Sequence, residues 1–503
     1  MTKNSFISLK DGFKSVQKKS HYIASALFPI ILTSKNDLNL VFFNYWTNKN
    51  RIKINNLKLS TRIYDESGSM ICHEEHFISK FHNQISIKKI LKKNKIQFKN
   101  IKGLVNVELI SLEKLNFPFP AITGIYKSGK MYSAVHSAGR LKNNSEQQNI
   151  FYTEETNWSC KFDKNITPFF HYFVGNVLPK RNYIIVNLFN KNNKLKKSKK
   201  IFINNFTPFS SKIFLIKDIF NLSKFENNDF ISVDVEHNSI FPRMIVGNFY
   251  SKLNFYEVTH SFPRVKSKDY CPINEKNEFQ SKIVGYRNKD LNLDLKIFPT
   301  TCEGNFKGET FIKKFNDNKI KSLNNKINFS EENLKKMIII PFTDNEEVKS
   351  IKFKGKMIPS RLNTSFIYKV KNSRNKFSLD IADGARSVIF PKKITHWGHG
   401  YLAEGFDTAV MIVNDNYEKF YQKKFKGTLS VYSENNFKKK IKLEIKPGTL
   451  LTLNLQKIRD LKKLSKKKLN FLSWHLKLSE PGCECFWVSY RKKDGSIFGD
   501  HSF

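Results

Sequence analysis

A short closing signature recurs along this chain, built from residue types that bind anions or metals. Tyr132-Ser-Ala-Val-His136 is followed by Ser137 and then Arg140; Tyr256-Glu-Val-Thr-His260 is followed by Ser261 and Arg264 at the same spacing. The two histidines lie 124 residues apart. A third segment, from Phe377 to Arg386, keeps the arginine 122 residues after Arg264 but carries no histidine, and the sequence ends on His501-Ser502-Phe503. Imidazole can ligate a metal or carry a proton near neutral pH, and guanidinium offers a planar fork of donors to an anion. His136, Arg140, His260, Arg264, Arg386 and His501 are therefore the candidate binding residues, with His21, His171 and His399, which sit beside aromatics upstream, as candidate partners. The competing reading is structural: His-Ser bonds nearby backbone at a strand end and Arg braces the next junction. Repetition favours it, because a fold needs its corner in every copy and an active site is usually needed once.

His396-Trp397-Gly398-His399-Gly400 is the densest histidine cluster, and His396 and His399 are candidate metal ligands. No Asp, Glu or Cys adjoins them, so the segment also reads as the entrance to a first strand. Cys72-His73-Glu74-Glu75-His76 lacks the helical His-Glu-x-x-His spacing; as a strand it would turn Cys72, Glu74 and His76 to one face and His73 and Glu75 to the other. Cys483 and Cys485 alternate onto one face ahead of Phe486-Trp487-Val488 and read as core fillers. There is no Gly-rich phosphate loop, nucleophile elbow, dinucleotide fingerprint or Cys-x-x-Cys pair. No catalytic residue is assigned, no cofactor is expected, and a divalent metal is the one cofactor the histidines admit.

The elements that must position these residues follow from the repeat. Turn signals such as Asp65-Glu-Ser-Gly68, Lys446-Pro-Gly448 and Lys493-Asp-Gly495 separate short alternating runs such as Val105-Asn-Val-Glu-Leu109 and Ile231-Ser-Val-Asp-Val235. Each unit also carries a strand followed at once by a short helical or turn-like segment, at Ile85–Leu91, Ile213–Phe220, Ile327–Leu334, where Ser330 reads as a helix start, and Leu451–Ile458. Short strands without a βαβ rhythm point to an all-β chain: about four related antiparallel β-sandwiches of immunoglobulin-like or fibronectin-like architecture in tandem. Copies are expected at 18–140, 166–264, 279–388 (divergent) and 394–503, after an N-terminal segment 1–17, with linkers at 141–165 and 265–278. Residues 394–503 and 166–264 are drawn as opening on His399-Gly-Tyr401 and His171-Tyr172, in parallel with His21-Tyr22.

The chain has 503 residues, 87 Lys plus Arg against 44 Asp plus Glu, and a formal charge of +43. That length holds roughly three to five domains. Only twelve of the cations are Arg, the residue preferred for bidentate phosphate and base contacts, and no nucleic-acid module is recognisable. Lysine spread over strand surfaces is also a means of keeping sheet edges apart, and the runs Lys194–Lys200, Lys438–Lys440 and Lys462–Lys468 are expected at hairpin tips or after the short helix. No apolar stretch is long enough for a transmembrane helix, and six irregularly spaced cysteines fit reduced thiols, so a cytoplasmic location is expected. The leading functional expectation is a non-enzymatic binding or scaffold protein with a basic surface for an anionic polymer or surface: polysaccharide, nucleic acid or membrane headgroup. The alternative is an enzyme or metal-binding protein whose site is assembled from the closing histidines. The sequence sets no oligomeric state.

Overall fold

The computed structural model describes residues 22–49, 57–97, 100–111, 122–136, 139–142, 150–190, 194–226, 229–241, 243–264, 270–272, 279–280, 285–286, 291–298, 309–314, 320–322, 326–329, 337–342, 349–353, 356–358, 361–370, 376–384, 386–387, 393–414, 424–434, 438–447, 449–465 and 470–503. They fall into two compact units, one of residues up to Ser261 and one from Phe262 to Phe503, with the short segments Met131–Ala134 and Asn190–Lys194 grouped with the second.

The first copy comprises β1 (Tyr22–Thr33), β2 (Asn36–Phe43), the single turn α1 (Trp46–Lys49), β3 (Leu57–Asp65), β4 (Met70–Phe77), β5 (His82–Ser86), α2 (Ile87–Lys93), β6 (Asn100–Ser111), β7 (Ile122–Ser128) and β8 (Met131–His136). One sheet runs β1-β6-β3-β4 and the other β5-β2-β7-β8. They face each other across an apolar core. A Cβ placed on Gly124 of β7 would lie 2.8 Å from the ring of Phe28 on β1, and Tyr126 Oη of β7 donates to the carbonyl of Pro29 at 3.0 Å. Helix α2 starts where Ser86 accepts from Lys89 N, buries Ile87, Ile90 and Leu91, and ends on Lys92 and Lys93, which suit the negative end of its dipole.

After β9 (Arg140–Leu141), the second copy contains β10 (Phe151–Asn157), β11 (Ile166–Phe173), β12 (Tyr183–Phe189), β13 (Leu195–Phe202), β14 (Ser211–Leu215), β15 (Phe230–His237), β16 (Ile240–Phe241), β17 (Ile245–Tyr250), β18 (Phe255–His260) and β19 (Phe262–Arg264). The order β10-β15-β12-β13 repeats that of the first copy's first sheet, and β14-β11-β17-β18 repeats the second. Asn157 of β10 spans the two layers, donating to the carbonyls of Phe169 at 3.2 Å and Gly247 at 3.0 Å.

The third copy follows as β20 (Tyr270–Pro272), β21 (Phe279–Gln280), β22 (Leu291–Phe298), β23 (Glu309–Lys314), β24 (Ile320–Ser322), β25 (Lys326–Phe329), β26 (Met337–Phe342), β27 (Lys349–Phe353), β28 (Lys356–Ile358), β29 (Arg361–Val370), β30 (Lys376–Gly384) and β31 (Arg386–Ser387). Its sheets include β21-β26-β23-β24 and β25-β22-β29-β30, the same two orders again. The fourth copy is β32 (Thr395–Leu402), β33 (Phe406–Asn414), β34 (Phe425–Ser433), β35 (Lys438–Ile445), β36 (Thr449–Asn454), α3 (Arg459–Ser465), β37 (Asn470–Leu478), β38 (Glu484–Arg491) and β39 (Ile497–His501), in sheets β32-β37-β34-β35 and β36-β33-β38-β39. The chain is thus all-β, a tandem of antiparallel two-sheet units. The strand order differs from that of an immunoglobulin constant domain, so the likeness is confined to facing antiparallel layers.

Three placements differ from the sequence reading. Phe151–Asn157 forms β10, paired along its length with β15, so the second copy's first strand lies inside the segment expected to be a linker. His171 consequently sits on a second strand, β11, and is not the counterpart of His399 on the first strand β32. Tyr270–Pro272, inside the other expected linker, is strand β20 and pairs with β27. Lys194 closes the β12–β13 turn as expected, but Lys196–Lys200 and Lys438–Lys440 are not hairpin tips: they belong to β13 and β35, the strands that end their sheets, and Lys462 and Lys463 lie within helix α3 rather than after it. The helix expected from Ser330 lies outside the described residues.

Within the first unit, the β3–β4 turn seats against the second copy. Ser67 carbonyl accepts from Thr207 Oγ1 and from Ser210 Oγ at 2.7 Å, Ser211 N donates to Glu66 O at 3.1 Å, and Tyr64 stacks on Phe209 at 4.4 Å. Gly68 closes this turn at φ +89°, and a Cβ there would come 2.3 Å from the Pro208 carbonyl.

Candidate functional site

The closing residues occupy one structural place. β8, β18, β30 and β39 each end the second sheet of their copy; His136, His260 and His501 are the last residues of three of them. In β18 and β39 the histidine ring folds back so that Nδ1 lies against the carbonyl of the following serine, at 3.2 Å for His260 and 3.0 Å for His501. That contact favours a proton on Nδ1 and turns Nε2 into the acceptor.

The serine that follows closes the sandwich. Ser261 Oγ donates to Glu155 of β10 and accepts from Met244 N at 2.8 Å. Ser502 Oγ bonds His396 Nδ1 of β32 at 2.8 Å, and its carbonyl accepts from Lys393 Nζ at 3.1 Å. In both copies the last strand is thereby tied to the first strand, with a carboxylate as partner in one and an imidazole in the other. Ser25 of β1 makes a related tie, donating to Leu141 O at 3.1 Å and accepting from Leu141 N at 2.7 Å.

Within the first unit the closing histidines of two copies meet. The rings of His136 and His260 stand edge to face with centroids 4.4 Å apart, both 3% exposed, and Trp158 Nε1 donates to the His260 carbonyl at 3.1 Å. Nearby, burial pushes the Glu155 carboxyl up to about 7 against the opposing pull of Ser261, Arg243 and Thr153. Thr153 Oγ1 in turn lies 3.2 Å from His237 Nε2. Arg140, 8% exposed, stacks over Phe241 at 5.3 Å, with Arg243 over the same ring at 5.8 Å. Arg140 and Leu141 pair with Phe241 and Ile240, so this arginine braces the first copy's end against the second copy. Arg264 ends β19 and Arg386 opens β31, where it pairs with Gln280 of β21.

His396 and His399 do not share a metal site. β32 is a strand, so residues three apart point to opposite faces. His396 reaches Ser502, whereas His399 Nδ1 bonds Ser473 Oγ at 3.0 Å. Both rings are fully buried. Gly398 lies between them because a Cβ there would come within 2.7 Å of both Trp474 and Trp487.

His171, offered as a ligand partner, is buried with neither ring nitrogen hydrogen-bonded, and burial alone pushes it down to about 3. A neutral imidazole stacked 5.7 Å from Phe173 is packing. His73 bonds Ser60 Oγ at 2.9 Å and lies 3.5 Å from Glu75 on β4, while Glu74 pairs with Lys93, the two-faced strand that alternation predicts. Cys483 and Cys485 are 2% and 1% exposed.

Two features had no counterpart in the sequence reading. One is Glu155. The other is an outward group on the second copy's first sheet, where Tyr152, Tyr183 and Phe202 alternate with Arg181 and Lys200. Part of its signal was available: Lys200-x-Phe202 places a cation and an aromatic at alternate positions of β13, but only the strand register sets Phe202 opposite Tyr183 and Lys200 opposite Ile185.

No protein-family model matches the chain, and no curated protein matches its sequence. Among solved structures, the crystal structure of a tetra-tandem repeat in the extending region of a large adhesion protein aligns over 92% of this chain and 97% of its own, at 6% identity and a TM-score of 0.09. A score that low carries no argument about this chain.

Proposed function

We propose that this chain is a non-enzymatic scaffold whose tandem β-sandwiches present a basic surface to an anionic partner: a polysaccharide, a nucleic acid or a membrane headgroup. The observation that carries the reading is the placement of lysine on corresponding edge strands. β13 exposes Lys196, Lys197, Lys199 and Lys200, and β35 exposes Lys438, Lys440 and Lys442. The closing His-Ser residues, in contrast, spend hydrogen bonds on holding their own sandwiches shut. A basic surface of this kind binds polyanions by releasing counterions, so affinity falls steeply with salt. Titration of the full chain with heparin at several salt concentrations tests it. Salt-steep binding weakened by Lys197→Glu and Lys440→Glu is the expected result; weak binding that ignores salt overturns the reading.

The 4.4 Å approach of His136 and His260 favours one alternative, a metal-binding protein or enzyme with a divalent ion at the closing histidines. The Nδ1 contact of His260 to a carbonyl is the support that metal-ligating histidines commonly have. Stoichiometric zinc or iron in purified protein, lost on His136→Ala and His260→Ala, would replace the scaffold reading with this one. We place the protein in the cytoplasm; the described cysteines support this as free thiols, three of them buried. Among the described residues no helix is long and apolar enough to cross a membrane.

A further inference from the structure

The outer face of the second copy's first sheet carries a row in which rings and cations alternate. Tyr152 on β10 stands opposite Glu236, and Tyr183 on β12 opposite Phe202 on β13. Ile184 and Val235 beside them in sequence are buried on the inner side, so Tyr152, Tyr183 and Phe202 lie on the outer face; Tyr152 and Phe202 are 61% and 60% exposed, whereas Glu236 beneath Tyr152 is itself buried. The Arg181 guanidinium lies 5.5 Å from the Tyr152 ring and 4.8 Å from the Tyr183 ring. Lys200 Nζ lies 3.7 Å from Tyr183 and 5.1 Å from Phe202.

The row is built rigidly. Arg181 donates through Nε to Tyr183 O at 2.9 Å and through Nη2 to the carbonyl and carboxylate of Asp234, at 2.6 and 3.2 Å. Glu236 accepts from the backbone of Lys180 at 2.6 Å and Arg181 at 3.0 Å, and from Tyr152 Oη at 3.2 Å. Glu154, two residues along β10 from Tyr152 and opposite Asp234, accepts from Ser232 Oγ, so the three carboxylates of this face have partners within it, while the exposed ammonium groups of Lys180 and Lys200 form no ion pair with a described residue. What the face offers outward is ring surface and positive charge.

We propose that this face binds single-stranded nucleic acid, stacking bases on Tyr152 and Phe202 while Lys180 and Lys200 take the backbone phosphates. The proposal rests on the anionic-partner reading and narrows it to one occupant at one place. Aromatic side chains on a sheet surface, flanked by cations, form a platform for unpaired bases that is tolerant of sequence. Rings of 60% exposure supply the flat overlap that unpaired bases use, and the cations beside them supply phosphate contacts, so both halves of single-strand recognition are present on one face.

Fluorescence anisotropy of a labelled oligothymidylate of about 12 nucleotides with the full chain tests the proposal. Tyr152→Ala and Phe202→Ala should each weaken binding at least about fivefold with the salt slope unchanged. Lys180→Ala with Lys200→Ala should reduce that slope by about 1.4. Thermal melts of the variants, all at solvent-facing positions, establish that they are folded. Oligothymidylate affinity unchanged in both ring variants overturns the proposal, as does an equal loss of heparin affinity, which makes the occupant a polysaccharide. Heparin binding that survives while the ring variants change nothing leaves the basic scaffold standing and removes this platform; binding of neither polymer removes both.

Discussion

At the scale of single residues, burial rather than chemical type decides what the polar groups do. Glu155 is held near neutrality by desolvation, its charged form disfavoured although Ser261 and Arg243 oppose the shift. A carboxyl whose folded value is raised from 4.5 to about 7 contributes its stability below pH 4.5 and loses it as pH rises toward 7. Glu155→Gln should therefore stabilise the chain relative to wild type at pH 8, by up to about 3 kcal/mol, and not at pH 4. Denaturant melts at the two pH values check this. His82 and His171 carry the opposite dependence: burial lowers both to about 3, so their stability is complete above pH 6.5 and erodes as pH falls toward 3. In that window each adds up to about 1.4 kcal/mol per pH unit to acid sensitivity, and replacing His171 by Phe should flatten the acid side of the stability curve.

Strands and turns set the next scale. β13 and β35 carry lysine on both faces because each ends its sheet, and a charged edge resists pairing with another chain. Lys197→Val combined with Lys199→Val should expose a sticky edge, seen as association in light scattering at unchanged secondary structure. A monodisperse double variant would remove the protective role from these lysines. Close approach matters at Gly398, where both tryptophan rings stand 2.7 Å from any added Cβ and are fully buried. Gly398→Ala should cost about 1–3 kcal/mol in chemical denaturation because neither ring can retreat through a packed core.

For the whole molecule, the formal charge of +43 is the dominant electrostatic fact. Like charges in a compact state repel, and salt screens exposed charges beyond about 8–10 Å. The melting temperature should rise between low and physiological ionic strength, measured calorimetrically; a falling melting temperature would mean that attractive pairs such as the half-buried Arg62–Glu108 contact at 2.7 Å outweigh the repulsion.

Strand content, the interval of about 120 residues and the closing His-Ser position were legible in the sequence, because turn chemistry and the two-residue period are local properties of the backbone. β10 was not legible. Its inward positions are Thr153, Glu155 and Asn157, polar residues that conceal the buried face, and the apparent match of His171 to His399 then shifted the second copy by one strand. β13 escaped for the converse reason: an edge strand solvated on both sides shows no apolar alternation. The histidine signature marked a place in the fold, but only tertiary structure decided its use, since hydrogen-bond partners and desolvation depend on which strand of the facing sheet arrives there. For Ser261 that strand brought Glu155, and for Ser502 it brought His396.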